Sequence, residues 1–298
     1  MPEGLLNAPR RLDADEMNYR HGFHAGNFAE VVKHAVLARV VAHLRAKPGA
    51  FRIIDTHAGP GITRLTGPEA SRTGEWHRGI ERLLAAELAA AMSDLLAPYI
   101  GVVADMNPDR HLVAYPGSPA LVRAWLRPQD RLVACELQPD TVAELAGHMR
   151  GDRRVKVVTI DGWTALGAYV PPKERRGAVL IDPPFEAPGE FGRLADGLRR
   201  AHRKWPTGIY LMWYPIKNVV ETDGFARRIA ALGIARILRA EVSVAPSGPD
   251  RLSGTGLIVV NPPWALEAEL ATLLPGLAAA LADDLRGAFR LDWLRGEK

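Results

Sequence analysis

The sequence predicts an α/β protein built on a mostly parallel sheet with helices on both faces. Three observations predict it. Short apolar runs of β character recur along the chain, helical stretches separate most of them, and the composition is that of an ordinary globular protein: 298 residues, 47% hydrophobic and 24% charged. Such a length buries one large core or two small ones. No apolar run approaches the ~18–20 residues that a membrane-spanning helix needs. Residues 1–17 lack the apolar core and small-residue cleavage site of a secretory signal. The single cysteine, Cys135, excludes an internal disulfide and a thiolate zinc cluster and suits a reducing compartment. A cytoplasmic monomer that stays off membranes is the expectation.

The elements follow in order. Asn27 can cap a helix, Glu30 stands three residues on as in a capping box, and Phe28, Val31, Val32, Ala35, Val36, Val40 and Val41 form one apolar stripe until Lys47, Pro48 and Gly49 stop it. Runs of β character follow at 51–55, 131–135, 155–160, 178–181, 208–213, 235–244 and 254–260. Helices are expected at 74–96, 118–126, 139–150 and 191–204. The last two β runs are joined by a short turn rich in Pro, Gly and Ser, which predicts an antiparallel hairpin at one edge. Seven strands ending antiparallel is the plan of the methyltransferases that use S-adenosylmethionine, a Rossmann-like class I fold. The first and second runs are far apart for a simple crossover, so residues 63–113 read as a small helical insertion. Residues 1–17, without periodicity, read as a flexible N-terminal extension to a methyltransferase domain spanning 18–298.

The charge is mildly basic, +4, and arginine outnumbers lysine by 31 to 7. Arginine's planar fork suits phosphate, although arginine-rich coding alone gives the same count. Basic residues cluster at Arg193, Arg199, Arg200, Arg203 and Lys204, and at Lys173, Arg175 and Arg176.

Chemistry-bearing residues fall at the ends of the β runs. After the first stands Asp55-Thr56-His57-Ala58-Gly59-Pro60-Gly61, whose glycines let a turn tighten and a ligand approach the backbone. Glu136 ends the second run, where an acid can accept both hydroxyls of a ribose. Asp161-Gly162 ends the third and places a second acid beside an adenine edge. Carboxyl ends of successive strands are where open α/β sheets bind ligands. After the fourth run comes Asp182-Pro183-Pro184-Phe185. Its prolines fix the backbone and leave carbonyls free to accept, Asp182 is a further acceptor, and Phe185 is a flat apolar face. Such a group can hold an exocyclic amine with its lone pair toward a methyl donor while the ring stacks on the base. This is the [DN]-P-P-[YFW] motif of amino-methyltransferases. Asn261-Pro262-Pro263-Trp264 fits the same pattern, but it ends an antiparallel run and belongs at the opposite edge. Catalysis is therefore assigned to Asp182 and a structural turn to Asn261.

Together these residues resemble the bacterial large-subunit ribosomal RNA adenine-N6 methyltransferase family of the RlmJ type. The resemblance begins at Tyr19-Arg20-His21, with Phe23-His24-Ala25-Gly26-Asn27 and Lys33-His34. It continues through Asp55-Thr56-His57-Ala58-Gly59, Arg72-Thr73-Gly74-Glu75, Tyr115-Pro116-Gly117-Ser118-Pro119, Glu136, Asp161-Gly162, Asp182-Pro183-Pro184, Trp213-Tyr214-Pro215 and Asn261-Pro262-Pro263-Trp264. It implies that His34, His57, Ser118, Glu136, Asp161 and Gly162 contact S-adenosylmethionine, that Asp182 is catalytic, and that Tyr19, Pro183 and Phe185 meet the substrate. It also implies in-line methyl transfer to an adenine N6 of 23S ribosomal RNA, by a fold carrying a small helical subdomain. Phe185 stands where the family commonly has tyrosine, which keeps the stacking face and removes a phenolic hydroxyl.

No metal is expected, because His21, His24 and His34 pair with no cysteine and no H-E-x-x-H occurs. Two other readings stay open. A DNA adenine-N6 methyltransferase would carry a larger recognition domain than the insertion offers. A non-catalytic RNA-binding protein on a degenerate methyltransferase fold would not need an intact Asp182-Pro183-Pro184-Phe185.

Overall fold

Every run of β character becomes a strand of one sheet. The computed structural model describes residues 23–246, 248, 251–283 and 287–297; Tyr19, His21 and the 1–17 extension lie outside the described residues. In chain order the elements are α1 (Phe28–Arg45), β1 (Arg52–Asp55), β2 (Ile62–Arg64), α2 (Pro68–Thr73), a 3-10 turn (Glu75–Arg78), α3 (Ile80–Ala85), α4 (Ala90–Met106), β3 (Ala114–Pro116), α5 (Ser118–Trp125), β4 (Arg131–Glu136), α6 (Pro139–His148), β5 (Val155–Thr159), α7 (Gly162–Ala168), β6 (Gly177–Ile181), α8 (Glu190–Lys204), β7 (Ile209–Ile216), α9 (Val219–Ala230), β8 (Ile237–Ser243), β9 (Gly254–Val260), α10 (Leu266–Leu281) and β10 (Ala288–Arg295).

The sheet runs β10-β8-β9-β7-β6-β1-β4-β5. β5, β4, β1, β6 and β7 are mutually parallel. β9 inserts antiparallel between β7 and β8, pairing Tyr210 with Val260 and Ser243 with Gly254. Because β1 lies between β6 and β4, the chain steps outward from it in both directions, and the crevice at such a switch point is the ligand site of open α/β sheets.

Side chains along the strands alternate between two cores. Ile53 and Leu180 face the layer of α1, α4, α5 and α10. Ile54, Val179 and Ile181 face the layer of α7, α8 and α9. This is the period of two expected of a pleated strand. With both faces covered, β6 and β9 are buried along their whole lengths.

Two features depart from the sequence reading. The sheet has an eighth strand, β10, antiparallel to β8 along Ala288–Ser243 to Arg295–Ile237. Its alternation of Phe289, Leu291 and Trp293 with Arg290 and Asp292 is a strand pattern, but it is an exposed edge with mixed polarity, which periodicity reads poorly. The helix expected over 74–96 is broken at Gly79 and again after Ala85. At Gly79 a Cβ would stand 2.0 Å from the Gly26 carbonyl oxygen and 2.5 Å from the Asn27 carbonyl carbon. The chain crosses the start of α1 too closely there for any side chain.

β2 and β3 pair antiparallel, Ile62 with Pro116 and Arg64 with Ala114, and the Gly117 N–H donates to the Gly61 carbonyl at 2.8 Å. The segment between them thus leaves and rejoins the sheet at one place. Its far end is tied to the beginning of α1: Ile80 N–H donates to Gly26 O at 2.9 Å, Thr73 Oγ1 donates to Phe23 O at 2.6 Å, and the Arg72 guanidinium lies 5.6 Å over the Phe23 ring.

Gly79→Ala is expected to cost about 1–3 kcal/mol, the usual price of overpacking, and to loosen the start of α1. Denaturant unfolding measures the first effect. Amide exchange over residues 23–33 measures the second.

Candidate active site

The site is built from α1 and from the carboxyl ends of β1, β4, β5 and β6. Asn27 caps α1 as expected, its Oδ1 accepting from the Glu30 N–H at 2.9 Å. Glu30 answers one residue further back, with Oε2 accepting from the Gly26 N–H at 3.1 Å. Its other oxygen receives Lys33 Nζ at 3.2 Å. Lys33 is buried, although it lies in an otherwise apolar stripe, and its ammonium also pairs with Asp182 Oδ2. Burial works against the Lys33 charge, but Asp182 and Glu30 outweigh it and hold the ammonium well above its ordinary range. A buried charge is tolerated only when paired in this way.

Asp55, at the end of β1, is fully buried. Its Oδ2 accepts from Ser118 Oγ at 2.6 Å and its Oδ1 from the His57 N–H at 3.4 Å. Burial pushes its carboxyl up to about 7; the Ser118 hydroxyl opposes this and the Asp182 charge adds to it. His57, Ser118, Lys33 and Asp182 line one cleft with Gly61 and Tyr115.

Glu136 ends β4 and is buried, and its carboxylate organises the turn around it. Oε2 accepts from the Gly59 N–H at 3.0 Å, and Oε1 from Leu137 and Gln138 N–H at 2.7 and 3.0 Å. Asp161 caps α7, with Oδ2 accepting from the N–H and hydroxyl of Thr164 at 2.8 and 2.9 Å. At Gly162 a Cβ would stand 2.5 Å from His57 Nε2 and from Thr56 O, so only glycine lets these two strand ends meet. Gly59 and Gly61 turn through left-handed φ of 61° and 84°.

His34 behaves differently from the other residues assigned to the cofactor. It is fully buried one layer behind the cleft, stacked on Tyr115, with Nδ1 and the Tyr115 hydroxyl 2.9 Å apart and Tyr115 in turn 2.8 Å from the Tyr99 hydroxyl. Burial, then the Lys33 charge, lowers its pKa well below the ordinary value, so it is neutral. Its Nε2 is buried without a hydrogen-bond partner.

Asp182 is buried at the end of β6, and Phe185 adopts a left-handed φ of 54° that turns its ring onto Phe191 and Trp213, with centroids 5.0 and 5.7 Å away. Asn261 lies at the other edge. Its amide donates to the carbonyls of Pro206 and Gly208 at 2.7 and 2.8 Å, just before β7 begins. Of the two basic clusters, the one at 173–176 also lies away from the cleft, with Arg176 donating to Leu44 O and Gly49 O at 2.6 and 2.7 Å. Arg193, Arg199, Arg200, Arg203 and Lys204 are exposed along α8.

Sequence reasoning gave Lys33 no role and Glu30 only a cap. The available signal was a lysine inside the buried stripe of α1. Asp55 was visible only as the first letter of a glycine-rich turn.

The acceptors fit S-adenosylmethionine. Glu136 and Asp161 offer carboxylates at neighbouring strand ends, the bare backbone at Gly59, Gly61 and Gly162 leaves room for close approach, and the orphaned His34 Nε2 lies behind the same wall. An open sheet in this strand order with this row of acids at its switch point defines a class I methyltransferase that uses S-adenosylmethionine. A family model described as "Ribosomal RNA large subunit methyltransferase D, RlmJ" matches residues 48–295. Ribosomal RNA large subunit methyltransferase J of Escherichia coli is 38% identical over 284 residues, covering 93% of this chain and 99% of that protein. The protein of the same name from Haemophilus influenzae is 35% identical over 283 residues, covering 94% and 100%. The crystal structure of protein LPL1258 from Legionella pneumophila superposes with a TM-score of 0.82 at 31% identity, covering 91% of this chain and 98% of that one. The chain belongs to the RlmJ family of ribosomal RNA large-subunit methyltransferases.

The raised Asp55 carboxyl has a pH signature. An acid whose folded pKa exceeds its ordinary value costs stability when it must ionise, so the cost is absent at low pH, grows from the ordinary 3.8 to about 7, and is constant above. Asp55→Asn keeps an acceptor for Ser118 and is expected to gain stability over the native protein progressively across that window. Paired denaturant titrations at several pH values measure the difference.

Proposed function

We propose that the chain methylates N6 of an adenine in 23S ribosomal RNA, with Asp182-Pro183-Pro184-Phe185 as the group that holds the amine. The observation that carries the reading is the buried Asp182, held by Lys33 at the switch-point edge beside a fixed Pro183-Pro184 backbone and an aromatic face. S-adenosylmethionine supplies an electrophilic methyl group when bound.

The chain's own residues orient and exclude. Asp182 and the Pro183 carbonyl accept the two hydrogens of the exocyclic amine, leaving its nitrogen lone pair free to point away from them. Phe185 gives the base an apolar face. Asp182 need not remove a proton before attack, because the amine becomes acidic only as it gains the methyl. Lys33 pairs with the carboxylate and limits its rotation. Positioning of this kind supplies most of what such a transfer needs from a protein. An adenine stacked in RNA must first be splayed out, at a cost of about a few kcal/mol. Glu136 is assigned to the ribose hydroxyls, Asp161 and Gly162 to the adenine end of the cofactor, and His57 and Ser118 to the wall between them. Tyr19 is assigned to the RNA.

Incubation with purified ribosomal RNA and with DNA, followed by mapping of the modified base, tests the reading. Methyl-N6-adenine in RNA is expected; a product confined to DNA or to another atom would replace it.

Asp182→Ala is expected to abolish methyl transfer with cofactor affinity nearly intact, as read by turnover and calorimetry; a tenth or more of native turnover would remove Asp182 from the reacting centre. Asn261→Ala is expected to lower stability and leave turnover per folded molecule unchanged. Glu136→Ala is expected to weaken cofactor binding by about 1.5–3 kcal/mol, the value of hydrogen bonds to a charged acceptor. An unchanged dissociation constant would leave Glu136 with only its backbone role at Gly59.

A further inference from the structure

Beside the cleft, a second cavity of about 680 Å³ opens between the loop after β6 and the first turns of α9. It is larger than the reacting adenine alone requires, and it lies within the size range of small-molecule sites. Phe185, three residues past the cleft-lining Asp182, forms part of its wall. From there an aromatic wall continues inward, with Phe191 5.0 Å from Phe185 and Phe225 4.9 Å from Phe191.

Glu190, the first residue of α8, lines this cavity and is buried at 5% exposure. Arg193 donates to its Oε1 at 2.8 Å. Its Oε2 is buried with no hydrogen-bond partner. Burial pushes its carboxyl up despite Arg193, as expected of an acceptor short of a donor. Unsatisfied buried acceptors are rare and need an explanation. An apolar ligand would leave the oxygen stranded, and an anion would be repelled by it. What satisfies it is a ligand that carries a hydrogen-bond donor, such as an N–H group.

The mouth has the opposite character. Lys217 and Arg228 are exposed, line the cavity, and form no ion pair among the described residues. Glu186 and Glu221 also reach the rim, so the cavity does not suit a run of phosphates. A flat ring inside and a single phosphate at the basic side of the mouth match the pattern.

We propose that this cavity is the subsite for a nucleotide next to the methylated adenosine: its base lies on the Phe185–Phe191–Phe225 wall and donates an amino hydrogen to Glu190 Oε2, and its phosphate lies at Lys217 and Arg228. The inference rests on the reading of the chain as a methyltransferase acting on RNA. It adds a specificity residue for the neighbouring base, favouring adenine, cytosine or guanine, which carry an exocyclic amino group, over uracil, whose single base-edge N–H is flanked by two carbonyl oxygens that repel a carboxylate.

The test is a binding measurement on the full chain. Synthetic RNA hairpins carry one loop adenosine, with each neighbour in turn changed to A, C, G or U. The native protein is expected to bind hairpins with an amino-bearing neighbour on one side about tenfold more tightly than those with uridine there, the scale of one hydrogen bond to a charged acceptor. Glu190→Gln presents an amide in place of the free oxygen and is expected to erase or invert that preference while cofactor affinity holds. No neighbour preference in the native protein, or the same preference in the folded Glu190→Gln variant, would overturn the proposal. Should that variant not fold, the surface changes Lys217→Ala and Arg228→Ala keep the question open to measurement. Weaker hairpin binding with a shallower salt dependence is expected, and unchanged binding of both would overturn the subsite. The readout is affinity, so it stands or falls separately from which atom receives the methyl group.

Discussion

The contact on which the site depends is the buried pair between Lys33 of α1 and Asp182 at the end of β6. It joins the first described helix to the strand that launches the Asp-Pro-Pro-Phe turn, across 149 residues of chain. Neither charge is stable alone in that position; removing one partner of a buried pair typically costs about 3–5 kcal/mol because the other is left uncompensated. Glu30 shares the lysine, and the backbone N–H of Gly26 shares Glu30. The start of α1, the ammonium and the carboxylate therefore form one connected unit. An amine that displaced part of this pairing would find Asp182 already held in place.

Much of the architecture was legible in the sequence because the sheet is covered on both faces. Buried strands such as β6 and β9 read as continuous apolar runs bounded by Gly, Pro and Asp, and Asp55, Glu136 and Asp182 stand at or just past the ends of β1, β4 and β6. β10 was not legible for the opposite reason: one edge is exposed and its alternation includes Arg290, Asp292 and Arg295. The break at Gly79 was also hidden. It reflects contact with Gly26 and Asn27, more than 50 residues away, and no local pattern encodes that. Strand direction was the decisive inference for the two Pro-Pro motifs, since residue types alone do not separate Asp182 from Asn261. Lys33 and Glu30 escaped because a lysine on a helix is ordinarily solvated and a glutamate three residues after Asn27 already has a use as a cap.

The same edge of the sheet mixes roles that composition cannot separate. Glu136 and Asp161 both hold their own turns through backbone N–H groups before any ligand is considered. Each carboxylate has lone pairs to spare, so a side chain that holds its own turn can still accept from a ligand. His34 contributes a neutral ring behind the wall, and its Nε2 is left buried there with an unmet hydrogen bond.

The helical segment between β2 and β3 closes back on the beginning of α1 through Gly79, Ile80, Thr73 and Arg72, against Gly26 and Phe23. Glu75 adds bonds to His24 Nδ1 and Asn27 Nδ2 at 2.9 Å each. This gives the segment a constraint unlike that of an ordinary surface insertion. It cannot drift in sequence, or be exchanged between relatives as a free module, without the stretch from Phe23 to Asn27 changing in step. Through that stretch and Lys33, any remodelling of the segment is transmitted to the electrostatics of Asp182.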